Sequence, residues 1–286
     1  MAKITIANNP GMHGMVDLKT GVVFSRVGGQ ELALQLLKPM WSSGGQGFPL
    51  VLFIQGSAWT KPNQFWQLPQ LTHLALRGFV IASVTHRSCF EACAPAFLQD
   101  VKSALRFLRL HAAEYDIDPG RVCAWGTSSG GNTALLLGMT GDDPAFETEE
   151  NKGPSTAVQA VVDCFGPTDL NRMIDVQYAA QPRDEENILY ALGGRNPDTC
   201  AETLKRISPC AYVRSGLNLP PFLILHGDAD DVVLCEDSEA LHDSLTAHGY
   251  EADFVRVTGA PHEDSFWSSE LLEIIFRFIE DRIGSK

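Results

Sequence analysis

Along the chain, apolar residues collect into eight short runs, and between most of these runs the apolar positions recur at helical spacing instead. "VVFSRV" (22–27) and "ELALQLLK" (31–38), joined across "GGQ", predict an antiparallel hairpin. "PLVLFIQ" (49–55), "FVIASVTH" (79–86), "RVCAW" (121–125), "AVQAVVDCF" (157–165), "PFLILH" (221–226) and "ADFVRV" (252–257) predict six further strands. Continuous apolar runs such as 49–55 suit strands buried on both faces. Residues 64–77 place Leu68, Leu71, Leu74 and Ala75 on one helical face, with Gly78 as the stop. Residues 97–113 do the same with Val101, Ala104, Leu105 and Leu108. In 237–248 the inward residues are Leu241 and Leu245, with Asp237 as the cap and Gly249 as the end. In 268–283 they are Leu272, Ile275, Phe276 and Ile279.

This alternation predicts an α/β fold: a mostly parallel eight-stranded sheet with helices on both faces. Two stretches break it. Residues 141–156, "GDDPAFETEENKGPST", are acidic and turn-rich, and read as a solvated loop. Residues 166–215 are too long for an ordinary connection and carry helical pieces near 183–192 and 199–207. They read as a small cap inserted over the C-terminal edge of the sheet within one domain spanning 1–286.

Composition narrows the function classes. The chain has 286 residues, 44% of them hydrophobic, and a net charge of −13. An acidic protein without a basic stripe is not a nucleic-acid binder, and its surface disfavours anionic membranes. "MAKITIANNP" lacks an apolar targeting core. With seven cysteines, an odd number, this predicts free thiols and a cytoplasmic location. Cys123 and Cys164 lie in apolar runs and read as packing residues, while Cys89 and Cys93 are close enough to bridge a tight loop. No Cys/His cluster has metal-ligand spacing, and no cofactor is expected. The oligomeric state is open, with a homo-oligomer admissible.

The chemistry sits in "WGTSSGG" (125–131), a G-x-S-x-G frame between a predicted strand and a helical run. At such a turn Ser128 is forced into a strained, exposed conformation. Gly126 and Gly130 are needed because side chains there would collide as strand and helix cross. The next amide, Ser129 N–H, opens a helix and can stabilise an oxyanion. Serine needs a histidine base and the base needs a carboxylate. The strand at 221–226 runs into "HGDADDVV" and the strand at 252–257 into "TGAPHED". Of eight histidines only His262 occupies that last loop, which makes it the base. His226 reads as a strand-end residue that packs and bonds the backbone; His86, at the same sheet edge, is open to a secondary role. The acid is Asp228, Asp230 or Asp231.

"GTSSGG", "HGDADDVV" and "GAPHED" together resemble the α/β-hydrolase esterases, and more narrowly the bifunctional feruloyl and acetyl-xylan esterase group near the hormone-sensitive-lipase-like esterases. "FLQDVKSALRFLRLHAAEYDIDPGRV" (97–122) and "DCFGPTDL" (163–170) match the same group, so the resemblance covers nearly everything beyond residue 45. It implies that the acid is the last residue of H-G-x-x-D, Asp230. One departure stands out. Where these relatives carry H-G-G-G-W, this chain has "QGSAW" (55–59), so Gln55 replaces the histidine and Ser57 and Ala58 replace glycines. By position the Ser57 and Ala58 amides complete the oxyanion hole with Ser129 N–H. The Ser57 hydroxyl either adds a donor or caps the loop. Trp59, Phe65 and Trp66, which follow, either stack on a sugar or aryl group or anchor the loop to the core; the same two readings apply to Phe266 and Trp267.

The expectation is a serine carboxylesterase for short-chain or aryl acyl esters of carbohydrates, with a small-molecule or oligosaccharide partner. Competing readings are an arylformamidase or peptidase on the same scaffold, a lipase, and a non-catalytic binding protein. A lipase would want a more apolar lid than 166–215, and a binding protein would be expected to have lost a member of the Ser–His–Asp set.

Overall fold

The computed structural model describes residues 2–176, 179–182 and 186–284. Its strands are β1 (Val16–Val27), β2 (Gln30–Pro39), β3 (Phe48–Ile54), β4 (Val80–Val84), β5 (Ile117–Thr127), β6 (Ala160–Cys164), β7 (Phe222–Gly227) and β8 (Ala252–Val257). Its helices are α1 (Leu68–Ala75), α2 (Ala96–Leu110), α3 (Ala112–Tyr115), α4 (Ser129–Thr140), α5 (Leu170–Val176), α6 (Ile188–Leu192), α7 (Pro197–Arg206), α8 (Cys235–Ala247) and α9 (Ser269–Ile283). The strands form one sheet in the order β1-β2-β4-β3-β5-β6-β7-β8. β1 pairs with β2, and β2 with β4, antiparallel; every later pair is parallel.

The apolar runs explain this layering. Every residue of β3, β4, β6 and β7 is buried, because helices cover both faces of the central sheet. One core lies beneath α2, α4 and α8, with Leu50, Leu52, Ala124, Leu135 and Ile224. The other lies beneath α1 and α9, with Val51, Phe53, Trp125, Leu225 and Ile275. β8, at the edge, is only half-buried. Among the described residues, no helix is long and apolar enough to cross a membrane.

Several boundaries differ from the sequence expectation. The helix expected at 64–77 is shorter, because Pro69 starts it and 64–67 form the turn before it. The helix expected at 97–113 breaks near His111 into α2 and α3. α8 begins at Cys235, so Asp237 is not its cap; it lies in the first turn and pairs with Arg172. Between β6 and β7 stand α5, α6 and α7, of which α5 has no counterpart in the expected pieces. Positions 183–185 of the expected piece at 183–192 lie outside the described residues. The 141–156 segment is exposed or half-buried over most of its length, as expected of a surface loop, but it is anchored at particular residues. Phe146 and Thr156 are buried, Glu147 pairs with the buried Arg106, and the buried Lys102 donates to Gly141 O and Thr156 Oγ1. Its acidic character offsets two cations that α2 turns inward. All seven cysteines are free, Cys89 and Cys93 included.

The tightest point in the fold is the crossing of β5, α4 and β3. A Cβ on Gly126 would run into the Gly130 carbonyl, and one on Gly130 into the Ile54 carbonyl, both far inside contact distance. Backbone cannot yield there as a flexible side chain would. Gly130→Ala should therefore cost about 3 kcal/mol, lowering Tm by about 5 °C in a chain of this size. Thermal unfolding followed by circular dichroism checks this, and a Tm within about 2 °C of wild type would contradict so close a crossing.

Candidate active site

Ser128 occupies the turn between β5 and α4 with φ 51° and ψ −125°, a region that costs a non-glycine residue roughly 1–3 kcal/mol. The crossing glycines hold it there. Its N–H donates to Cys164 O on β6, and its carbonyl accepts from Asn132 N–H in the first turn of α4. The hydroxyl is thereby fixed at the C-terminal edge of the sheet.

The loops after β7 and β8 bring Asp230 and His262 to the same point. His262 Nδ1–H donates to Asp230 Oδ2 at 2.7 Å. That leaves Nε2 to accept the Ser128 hydroxyl at 2.9 Å. Asp228 and Asp231 do not join this chain of contacts; Asp228 instead accepts Gly259 N–H and ties the two loops together. Phe165 sets its ring against the imidazole, centroids 4.7 Å apart, and is backed by Phe266 at the same distance.

The Asp230 carboxylate is buried and saturated. Oδ1 accepts the N–H groups of Val232 and Val233 at 2.8 and 2.9 Å. Oδ2 accepts His262 and also His226 Nε2–H at 3.1 Å. Burial alone would push this carboxyl up, but the hydrogen bonds from His226, His262 and Val233 outweigh it and hold it well below the usual carboxylate range. His226 does bond backbone, as a strand-end histidine would, through Val233 O at 3.0 Å. Its larger role is to face the acid. Two acceptors meet Nε2, so that nitrogen carries the proton, and Nδ1 accepts the Ser238 hydroxyl at 2.7 Å. Spacing alone could have hinted at this, since His226 opens the same H-G-x-x-D frame that Asp230 closes. His86 is buried against Phe97 with Nδ1 on Arg87 O, and burial lowers its pKa; it does not border the cavity beside Ser128.

The turn carrying Ser57 and Ala58 is stitched to the nucleophile turn by two hydroxyls. Thr127 Oγ1 accepts Gly56 N–H at 2.9 Å and Gln55 Nε2–H at 3.3 Å, and Ser129 Oγ accepts Ser57 N–H at 3.0 Å. The Ser57 hydroxyl donates to Thr60 O, while Thr60 Oγ1 returns a bond to Ser57 O, so Ser57 caps the loop. With the Ser57 amide taken, the candidate donors left beside Ser128 are the amides of Ala58, which borders the same cavity, and Ser129, which follows it in the chain. Ser129 is the first residue of α4, where helix geometry supplies no partner. Ala58 and Trp59 both have positive φ, 49° and 55°, the conformation a glycine would adopt at less cost.

A cavity of about 150 Å³ opens beside Ser128. It is lined by Ala58, Trp59 and Val233 and, from the segment between β6 and β7, by Met173, Ile188 and Leu189, with Glu186 and Asn187 beside them. Of the three aromatic residues expected at the site, only Trp59 is there; it is buried and packs against Phe97. Phe65 and Trp66 are 53% and 64% exposed and do not border this cavity. The cause is Gln64. Its Nε2–H groups donate to Ala33 O and Ser83 O, and its own carbonyl accepts Ser83 Oγ–H, which pins the loop to β2 and β4 and turns the next two rings outward. Phe266 is buried beneath the histidine loop, and Trp267 is half-buried beside it.

The sequence matches the BD-FAE family over residues 34–245. It is 25% identical over 286 residues to Esterase LipQ of Mycobacterium tuberculosis, covering 98% of this chain and 66% of that protein. It is 30% identical over 199 residues to the probable carboxylic ester hydrolase LipM of the same organism, covering 69% of this chain and 44% of that protein. The chain thus spans about half to two thirds of the length of these curated relatives. Among solved structures, a truncated carbohydrate esterase from gut microbiota superposes with a TM-score of 0.78 at 28% identity, over 97% of this chain and 99% of that one. The butyrate-bound esterase Est2 of Thermogutta terrifontis superposes with a TM-score of 0.77 at 25% identity, over 97% of both chains. The alternation of strands and helices, the nucleophile turn and the family match over most of the chain agree: this chain has the α/β-hydrolase fold and belongs to the BD-FAE family.

Proposed function

We propose that the protein is a serine carboxylesterase that cleaves short-chain or aryl acyl esters, carried on carbohydrates, through an acyl-enzyme. The observation that carries this reading is the unbroken chain from Ser128 Oγ through His262 to Asp230, with contacts of 2.9 and 2.7 Å. In the proposed reaction Ser128 Oγ attacks the ester carbonyl as His262 Nε2 takes its proton. The developing oxyanion accepts the Ala58 and Ser129 N–H groups. His262 then protonates the departing alcohol and next takes a proton from the water that cleaves the acyl-enzyme. Asp230 stays ionised throughout, orienting the imidazole and stabilising its charged form.

The substrate side of the proposal rests on size and likeness. A cavity of about 150 Å³ is on the scale that holds one benzene ring. It therefore suits an acetyl, a butyryl or a single aryl group better than a long chain. The similar solved structures are described as a carbohydrate esterase and as an esterase with bound butyrate. Seven free thiols support placing the protein in a reducing compartment such as the cytoplasm.

Ser128→Ala should lower ester turnover by on the order of 10⁶-fold and abolish labelling by a fluorophosphonate probe, with the melting curve retained. More than a few per cent residual activity would defeat the proposal.

Among p-nitrophenyl esters, kcat/KM should be higher for acetate and butyrate than for octanoate and palmitate, with methyl ferulate and acetylated xylobiose accepted. A tenfold preference for octanoate or palmitate, about 1.4 kcal/mol in transition-state binding, would replace this reading with a lipase-like one.

His226 should matter through Asp230. His226→Leu removes one hydrogen bond to a buried charge, worth about 1.5–3 kcal/mol, so kcat should fall roughly 10- to 100-fold. The Asp230 carboxyl then titrates higher, and the acid limb of kcat/KM moves to higher pH. His226→Gln, whose amide can still donate at the Nε2 position, should recover most of both. If the leucine variant lost stability but kept the wild-type pH profile, the role of His226 would be packing alone.

A further inference from the structure

A second cleft, of about 290 Å³, opens at the same sheet edge but on the side covered by α1 and α9. Its walls are Trp66, Gln67, Gln70, Glu263, Asp264 and Trp267. None of these borders the cavity at Ser128. We propose that this cleft is a binding subsite for a neutral sugar ring: the glycan part of the substrate, gripped beyond the ester.

Two features point to that chemistry. The first is Trp66, which lines the cleft and is 64% exposed, where a hydrophobic ring in water gains by being covered. Trp267 lines the same cleft; its ring is edge-on to Phe266 at 5.1 Å, and its Nε1–H donates to Glu263 Oε2 at 3.0 Å. The second is the mixture of polar groups. The Gln70 amide both donates and accepts, while the Glu263 and Asp264 carboxylates accept. A ring of hydroxyls, each donor and acceptor at once, answers all of them and still presents an apolar face to Trp66.

Other ligand classes fit less well. Two carboxylates in the wall repel phosphates and other anions. A quaternary ammonium would suit the tryptophan faces and the carboxylates, but it has no N–H or O–H to give the acceptors of Gln70, Glu263 and Asp264. The position also fits. Glu263 and Asp264 follow His262 directly, so the wall begins within about 7 Å of chain from the base. In an esterase of the proposed kind the alcohol departs on the side of His262 Nε2, because that nitrogen returns the proton. The glycan would leave toward this cleft while the acyl group stays under the cap. That orientation rests on the esterase reading, whereas the binding itself does not.

The test is binding without catalysis. Wild-type protein is titrated with unesterified xylotetraose, cellotetraose and mannotetraose, followed by tryptophan fluorescence and calorimetry. At least one should bind and shift the emission. Trp66→Ala, an exposed substitution that leaves no internal void, should weaken that binding about tenfold, and Gln70→Leu, also exposed, severalfold. In the same variants the preference for an acetylated oligosaccharide over p-nitrophenyl acetate, expressed as a ratio of kcat/KM, should fall by a similar factor. The proposal is overturned if none of the three glycans binds, if binding survives both substitutions, or if choline titrates the site and the glycans do not. Glycan binding lost in Trp66→Ala, in a protein that hydrolyses no ester, would uphold the subsite and reject the esterase reading.

Discussion

Ser128 stands where it does because three backbones pass one another with no side chain between them. β5 enters the turn, α4 leaves it, and β3 lies against both, at a distance that a single Cβ on Gly126 or Gly130 would prevent. That crossing sets the strained φ of Ser128 and lays the first turn of α4 beside the end of β3. From there the hydroxyls of Thr127 and Ser129 reach the amides of Gly56 and Ser57. The turn carrying Ser128 and the turn carrying Ser57 and Ala58 are therefore one unit. This also accounts for the departure at "QGSAW". The local hydrogen bonds and the cap of Ser57 on Thr60 hold Ala58 and Trp59 at positive φ without glycine's conformational freedom.

The acid is held by a different principle. A buried carboxylate is tolerable only if its lone pairs are met, and Asp230 meets four donors from three directions. The two backbone amides come from the loop that Asp230 itself turns, so the loop and the charge stabilise each other. His226, anchored by Ser238 on α8, adds a donor from the strand below. In the proposed reaction this matters for catalysis as well as for folding. An acid whose proton affinity stays low cannot take the proton back from the imidazole, and it favours the charged form that must appear between the two proton transfers.

Much of the architecture could be read from the residues, because buried parallel strands are written as uninterrupted apolar runs such as 49–55 and 221–226. That Ser128, His262 and the loop of Asp228, Asp230 and Asp231 would meet was legible for a related reason: each lies after a strand, and strand ends in a parallel sheet converge on one edge; the choice of Asp230 within its loop came from the family resemblance. What could not be read depended on where single side chains anchor loops. Nothing in "TKPNQFW" shows that Gln64 will bridge β2 and β4 and turn Phe65 and Trp66 away from Ser128. The anchoring of the acidic run at 141–156 could not be read because its partners, Lys102 and Arg106, sit far away in sequence on a helix whose charges would ordinarily face water. His226 looked like packing because its donor role exists only once the loop folds back to bring Asp230 over it.

In the proposed reading the arrangement separates the two ends of an ester. The cavity at Ser128 is lined by Met173 of α5 and Ile188 and Leu189 of α6, inserted between β6 and β7, whereas the cleft beside His262 is built by residues at the N-termini of α1 and α9. These walls share no residue, although the connection from β3 to α1 supplies Ala58 and Trp59 to one and Trp66 and Gln67 to the other. Changing Met173, Ile188 or Leu189 resizes the space for the acyl group and leaves Trp66 and Gln67 untouched, while the reverse holds for the alcohol. The reacting atoms lie between, on the rigid crossing of β5 and α4 and on loops tied to each other through Asp228 and Gly259. If both ends are read as proposed, acyl and glycan preferences can vary separately around a fixed centre, because no residue lines both sites.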